Sequence, residues 1–336
     1  MNFIPLLQYK KMNTELIFDI SCPLDFEKKA LEIFKFQFEN NLVYRSFCDL
    51  LCKHPSEIKE LKDIPFLPID FFKSHKIKIS SKKTSKIFTS SGTTGYNLSK
   101  HYVTDLDLYE KSFMNCFKVF YGDINDYTIL GLLPSYLEKN NSSLVYMVNK
   151  MIEQSKFPES RFYLDEIDEL KETILNLEKE KRKTILIGVS YALLDLIEYH
   201  KFNLNHTIIM ETGGMKGKRK ELIKSELHKL LKNGFGVNNI HSEYGMTELL
   251  SQAYSKKNGL FSTPPWMKIL IRDTEDPQSI LPLTKTGGIN IIDLANINSC
   301  PFIATMDLGK LHVDGQFEIL GRFDQSDIRG CNLMVT

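Results

Sequence analysis

Between Phe88 and Gly95 the chain sets Thr89, Ser90, Ser91, Thr93 and Thr94 around Gly92 and Gly95, directly after the apolar pair Ile87-Phe88. A short strand running into such a loop surrounds a ligand with backbone N–H and side-chain O–H donors. Glycine lets the backbone reach positive φ and approach a ligand closely, and successive N–H groups then form an anion-binding concavity. The chemistry this suits is holding the phosphates of ATP. No Gly-Lys-Ser/Thr follows at the spacing of a Walker loop, so any phosphate loop here is of another kind. Taken alone, the eight residues read equally well as a Ser/Thr/Gly turn.

Four further strand-to-loop junctions carry reactive or ligand-holding residue types. Glu211-Thr212-Gly213-Gly214-Met215-Lys216-Gly217 follows an apolar run, and its paired glycines allow a flat base or ribose to lie against the backbone. In Ser242-Glu243-Tyr244-Gly245-Met246-Thr247-Glu248 the tyrosine can stack on an adenine and the threonine can donate to a phosphate. Glu248 supplies the hard oxygen that Mg2+ prefers. Thr305-Met306-Asp307-Leu308-Gly309 puts an aspartate at an expected strand end, suited to gripping two ribose hydroxyls, and Gly321-Arg322-Phe323-Asp324 is followed by Ile328-Arg329-Gly330. Each also has a plain structural reading: turn glycines, a helix N-cap at Thr247, a turn aspartate, a solvated Arg/Asp pair.

Those residues need a scaffold, and the apolar spacing supplies one. Two helices are expected over 24–53, one with a stripe of Phe26, Ala30, Ile33, Phe34 and Phe38, the other with Leu42, Phe47, Leu50 and Leu51. Pro65 and Pro68 exclude a helix between 63 and 68. After the hydroxyl-rich loop, Asp105 is placed to cap a helix over 106–120. Continuous apolar runs at Tyr127–Leu133, Thr184–Val189 and His206–Met210 read as buried parallel strands, alternating with helices near 142–155, 165–182, from Ser190, and over 218–232, the last ended by Asn233-Gly234. Past residue 255 the pattern becomes short strands, at 268–272, 288–293, 302–306 and 316–320, with turn residues between them. The expected fold class is α/β, layered α/β/α with a small β-rich subdomain: an α/β region with its N-terminal helical layer over 1–255, the β-rich part over 256–320, and a hinge-like motif and tail over 321–336. In such folds ligands bind at the carboxyl ends of the strands.

Composition removes several function classes. With 336 residues and 42% hydrophobic content the chain can bury a large core, and 43 Lys+Arg against 42 Asp+Glu leave a formal charge of +1. No basic face is implied, which argues against nucleic acid as a partner. No apolar run approaches the ~20 residues of a membrane span, and Met1–Lys11 lacks the pattern of a signal peptide, so the chain reads as cytoplasmic. The cysteines at 22, 48, 52, 116, 300 and 331 have no framework spacing and read as free thiols. Cys48 and Cys52, at i and i+4 and close to His54, read as core-lining rather than metal-binding, since no second Cys/His pair completes a site.

In order and spacing, the five motifs from Phe88 to Gly330 resemble those of the adenylate-forming superfamily of acyl-CoA synthetases, adenylation domains and luciferases. The doubled serine of Thr89-Ser90-Ser91-Gly92-Thr93-Thr94-Gly95, the short Tyr244-Gly245-Met246-Thr247-Glu248 and the final Arg329-Gly330-Cys331-Asn332 resemble most closely the branch of phenylacetate-CoA ligase and the fatty-acyl-protein synthetases of bacterial bioluminescence. The resemblance implies a ligase using ATP and Mg2+ to convert a carboxylic acid, of the long-chain fatty class, to an acyl-adenylate. It implies that Ser90, Ser91, Gly92, Thr93, Thr94 and Gly95 hold phosphates together with Thr89, Thr247 the α-phosphate, and Glu248 the Mg2+. Gly213, Gly214, Tyr244 and Gly245 would frame the adenine, and Asp307 and Arg322 the ribose.

One departure stands out. Superfamily ligases continue well past the Gly-Arg-x-Asp segment into a mobile domain whose lysine assists adenylation, whereas this sequence stops at Thr336. That domain is therefore expected to be lacking, with Lys216, Lys218 or Arg329 as candidates for the positive charge. Acyl-protein synthetases load the acyl group onto a cysteine near their own C-terminus and pass it to a reductase, and Cys331 lies at the equivalent end. A neighbouring Arg329 would favour its thiolate; alternatively Cys331 replaces a small apolar residue. The expected partners are a carboxylic acid substrate and an acyl-accepting protein, a reductase or carrier. The N-terminal half of a split acyl- or aryl-CoA ligase and a nucleotide-binding scaffold without turnover remain as alternatives. Aromatic residues near Tyr136 and Tyr191 suit an acyl pocket or the core equally.

Overall fold

The computed structural model describes residues 14–90, 98–133, 141–163, 166–213, 219 and 222–322. The first helix, α1 (Pro23–Asn40), begins with proline at a position whose N–H would have no helical partner. It stops where Asn41 turns extended, and the Asn41 side chain accepts from Tyr44 N to open α2 (Leu42–Leu50). The face of α2 that packs inward is Tyr44 and Cys48, with Phe47 partly buried. The expected stripe was off: Leu42 and Leu50 are 69% and 83% exposed. At 100° per residue Leu42 lies opposite Tyr44, so both leucines point away from the face that meets the core. Cys52 is likewise not a core residue; it lies past the end of α2, exposed and at φ 54°.

Pro65 and Pro68 break the chain as expected, leaving the short strand β1 (Leu67–Pro68) and one turn of helix, α3 (Phe71–Ser74). Strands β2 (Lys86–Thr89) and β3 (Lys100–Val103) form an antiparallel pair around the hydroxyl-rich loop. Asp105 caps α4 (Leu106–Tyr121), accepting from Leu108 N at 3.0 Å.

From there strands and helices alternate: β4 (Thr128–Leu132), α5 (Ser143–Gln154), β5 (Arg161–Phe162), α6 (Ile167–Lys179), β6 (Thr184–Val189), α7 (Ser190–Tyr199), β7 (Thr207–Thr212), α8 (Lys224–Phe235), β8 (His241–Tyr244) and β9 (Ala253–Ser255). They build a six-stranded sheet in the order β5-β4-β6-β7-β8-β9, parallel except for β9. Every residue of β4 and β6 is buried, which is why both read as unbroken apolar runs. Helix α8 spans Lys224–Phe235 rather than 218–232, and Gly234 sits inside its last turn instead of ending it. A Cβ there would come within 2.5 Å of Ile197 Cβ, so this glycine seats α8 on α7. The left-handed terminator is Gly236, at φ 65°.

The second sheet holds β10 (Leu260–Phe261), β11 (Met267–Arg272), β12 (Thr286–Asp293), β13 (Phe302–Leu311) and β14 (Phe317–Arg322), antiparallel in the order β10-β14-β13-β12-β11. The short β1 joins it parallel to the first residues of β13, with Pro68 opposite Ala304 at an edge where a missing N–H is tolerated. The N-terminal helices pack on this sheet: Gln37 Nε2 donates to Ile297 O (2.6 Å), Asn41 Nδ2 to Ser299 O (2.8 Å), and the Tyr44 and Phe302 rings lie 5.9 Å apart. One continuous apolar core runs through both sheets and their helices.

Candidate functional site

The expected site residues that the structure describes gather where the carboxyl ends of β7 and β8 meet the second sheet. At the neck of the hydroxyl-rich loop, Ser90 N donates to Ser99 O and Ser99 N donates to Ser90 Oγ, both at 3.1 Å. Thr89 N donates to Asn141 O (2.9 Å). Ser91, Gly92, Thr93, Thr94, Gly95, Gly214, Lys216, Lys218, Arg329 and Cys331 lie outside the described residues, as does Tyr136. Tyr191 is buried in α7.

Tyr244, Asp307 and Arg322 come from three strands and meet. Tyr244 ends β8 and donates its hydroxyl to Asp307 Oδ2 at 2.7 Å, while Arg322 Nε stands 3.4 Å from Asp307 Oδ1. Burial raises the Asp307 pKa, against the Tyr244 hydroxyl and the Arg322 charge. The Tyr244 ring packs at 5.9 Å from Phe261 and 5.8 Å from Phe317, so its position is set by the second sheet. The Arg322 side chain is 73% exposed, leaving its charge available to a ligand. Behind Asp307 lies a buried cation that sequence reasoning missed. Arg272 donates to Ile289 O (2.9 Å), Asn290 Oδ1 (3.0 Å) and Thr305 O (2.5 Å), and burial pushes its pKa down to about 10. Gly288 makes room for it, since a Cβ there would meet the guanidinium carbon at 2.5 Å.

Glu248 is buried, and burial raises its pKa; a hydrogen bond from the Ser99 side chain and the charges of Arg322 and Lys73 oppose that rise. A buried carboxylate beside a phosphate-type loop fits Mg2+, which binds through one or two carboxylates together with substrate phosphates. Among the described residues no group of three or more His, Cys, Asp or Glu side chains is placed to hold a metal by itself. The backbone on either side of Glu248 is fixed from elsewhere: His101 Nδ1 lies 2.8 Å from Thr247 O, and Asn296 Nδ2 donates to Glu248 O at 2.7 Å. Burial pushes the His101 imidazole down to about 4. Ser99, His101 and Asn296 carried no motif, and nothing in the sequence separated them from ordinary strand and turn residues.

Two glutamates on adjacent strands differ in charge. Burial would raise Glu211, but Lys224 Nζ at 3.0 Å, with His228 and Ser242, holds it at about 2. Burial pushes Glu243 up to about 7, although Thr212 Oγ1 donates to it at 2.6 Å. Gly245 is required by the same carboxylate: a Cβ would stand 2.5 Å from Glu243 Oε1. Gly213 takes the left-handed conformation at φ 52°, with its carbonyl 3.5 Å from Ser190 Oγ.

A sequence model of the family "Acyl-protein synthetase, LuxE" matches residues 15–336. The chain belongs to this LuxE family. No curated protein matches it in sequence. Among solved structures, 2-hydroxyisobutyryl-CoA ligase in the postadenylation state with 2-HIB-AMP superimposes with a TM-score of 0.65 at 11% identity, over 95% of this chain and 73% of that one. ATP-bound MatB from Rhodopseudomonas palustris gives 0.52 at 17% identity, over 72% and 49%. O-succinylbenzoate coenzyme A synthetase (MenE) from Bacillus subtilis, with ATP and magnesium ion, gives 0.51 at 18%, over 74% and 52%. The LuxE-family chain thus has the mixed α/β fold of adenylate-forming ligases, and spans about half the length of MatB and MenE. Among its described residues no helix is long and apolar enough to cross a membrane.

Proposed function

We propose that this LuxE-family protein activates a carboxylic acid, of the long-chain fatty class, with Mg-ATP and then transfers the acyl group to a protein thiol. The observation that carries the first half is that Tyr244 and Arg322, from the two sheets, meet on Asp307, while Glu248 is buried within reach of the Arg322 charge and of Ser99 at the neck of the hydroxyl-rich loop. In this reading a carboxylate oxygen of the acid attacks the α-phosphorus of ATP, the bond to the β-phosphate oxygen breaks, and pyrophosphate leaves. Chemistry of this kind depends on alignment and charge neutralisation rather than on a protein nucleophile.

Asp307 grips the ribose hydroxyls, and the Tyr244 hydroxyl on its other oxygen fixes its rotamer. Arg322 adds positive charge at the ribose, and Gly213 and Gly245 give the base a surface free of side chains. The loop from Thr89 through Gly95 holds the terminal phosphates, and Thr247 the α-phosphate. Glu248 is the ligand for Mg2+, which when bound neutralises phosphate charge. In the second half the Cys331 thiolate attacks the acyl carbonyl, forming a thioester and releasing AMP, and a reductase or carrier protein receives the acyl group.

The test is incubation with Mg-ATP and a fatty acid, followed by intact mass measurement. The expected result is an acyl mass on the protein that is lost in Cys331→Ser while acyl-AMP and pyrophosphate still form. Loading that survives Cys331→Ser would remove that cysteine from the mechanism, and acyl-AMP that loads only added coenzyme A would replace protein transfer by a CoA-ligase reading.

A further inference from the structure

We infer that His101 and Asn296 are positioning residues that clamp the Thr247–Glu248 turn onto the strand carrying the phosphate-type loop. The inference rests on the roles given above to Thr247 and Glu248. That turn belongs to neither helix nor strand, so no ladder fixes its carbonyls. What fixes them is a pair of side chains distant in sequence. His101 Nδ1 reaches Thr247 O at 2.8 Å, and Asn296 Nδ2 reaches Glu248 O at 2.7 Å and Cys300 O at 2.9 Å. Because both Asn296 amide protons go to carbonyls, its Oδ1 faces His101 Nε2, at 3.1 Å; the neutral imidazole has a single N–H, and the shorter contact, at 2.8 Å, assigns it to Thr247 O.

The same strand edge holds the turn twice. Ser99 lies by the Glu248 carboxylate and opposes the rise that burial gives it, and His101, two residues on and so on the same side of the chain, holds the neighbouring carbonyl. Ser99 also closes the neck of the loop through Ser90. Displacement of the loop neck therefore moves the Glu248 carboxylate and its backbone together. Asn296, in the 3-10 turn Leu294–Asn296 between β12 and β13, ties this unit to the second sheet. Both side chains are buried, and Phe72 packs edge-on against the imidazole at 5.9 Å. Leu250 and Ser251 have a separate anchor, since Leu250 N and Ser251 N donate to Asp293 Oδ2 at 2.8 and 2.9 Å.

His101→Phe keeps a ring against Phe72 and removes both nitrogens. Hydrogen exchange in the free protein is expected to rise about tenfold or more at Leu249, whose N–H donates to Met246 O across the turn, while 250 and 251 keep their protection, since local openings are independent where anchors are independent. A uniform rise, or none, would overturn the clamp without reference to any ligand. Calorimetric titration of Mg2+ in the presence of ATP is expected to show affinity about tenfold weaker in the variant, the scale of losing a group that orients a metal ligand. In a Glu248→Gln background the same change should cost less than about twofold, because the residue it positions no longer binds metal. Equal losses in both backgrounds would show that His101 acts elsewhere. Asn296→Asp is read the same way, and failure of both variants to fold would assign the pair a purely structural role. A wild-type protein that does not bind Mg-ATP would sink the proposed function, while the exchange measurement still decides on the clamp.

Discussion

At the carboxyl end of the parallel sheet, Glu211 and Glu243 stand on neighbouring strands, one residue out of step, and lie at the ends of their elements. In the antiparallel sheet, Asp307 lies inside a ten-residue strand, paired with Arg322 opposite. All three carboxyls are buried, and burial pushes each upward. Their fates diverge with their partners. Glu211 has a lysine at 3.0 Å and stays ionised; Glu243 has a threonine hydroxyl and rises to about 7; Asp307 has a tyrosine hydroxyl and an exposed arginine in front and Arg272 behind. Burial sets the direction and the local partner decides whether it is overcome. Glu211 keeps its charge through Lys224 and His228 of a helix, Glu243 has only the strand hydroxyl of Thr212, and Asp307 is met by strand residues of both sheets, Tyr244 from one and Arg322 and Arg272 from the other.

If that contrast is right, the largest effect of substitution falls in the antiparallel sheet. Arg272→Ala should cost about 3–5 kcal/mol, because it takes the guanidinium from the buried acceptors Asn290 Oδ1 and Thr305 O, Ile289 O keeping the Thr305 hydroxyl, and removes a cation from the inner face of Asp307. A denaturant midpoint shift under a third of that size would mean the strands relax around the loss. Gly234→Ala probes helix seating on the parallel sheet: the added Cβ meets Ile197, and overpacking of about 1–3 kcal/mol is expected by the same measurement.

The glutamate pair gives the sharpest comparison, because its two members should respond to pH in opposite senses. Glu211 is held at about 2, below the ordinary 4.5, so its stabilisation is present above pH 4.5 and lost as pH falls toward 2. Glu243 sits at about 7, above 4.5, so its contribution is full below pH 4.5 and lost as pH rises through 7. Glu211→Gln should therefore destabilise by about 1–3 kcal/mol at pH 7. Glu243→Gln should be near neutral at pH 5 and stabilising at pH 8. Urea unfolding of both variants at the two pH values checks this, and parallel behaviour would break the distinction. The smallest effect belongs to the helix cap: Asp105→Ala should cost about 1 kcal/mol without altering either glutamate's titration.

The residues legible in the sequence were those at strand ends, where a glycine, a hydroxyl or a carboxylate interrupts an apolar run. Tyr244 and Glu248 stood out in this way; Asp307 was expected at a strand end but lies inside β13, which runs on to Leu311. Arg272 did not, because an arginine closing a strand looks the same whether it faces solvent or three carbonyls. His101 and Asn296, 195 positions apart, gave no signal at all. The second stripe, on Leu42 and Leu50, failed for a related reason: apolar type was visible, but which side of a short helix would meet β13 was not.

By itself the sequence determined the alternation of buried strands and amphipathic helices, the switch past residue 255 to strands with little helix between them, though not their length, and the order of the motif-bearing junctions. These depend on local chemistry: β-branched runs, capping side chains, proline and glycine. Tertiary structure decided which carboxylate keeps its charge, which glycine is required by a neighbour rather than by its own φ, and how the Thr247–Glu248 turn is held. Each of those depends on what lies within a few ångströms across the fold, and chain folding rather than chain order sets that proximity.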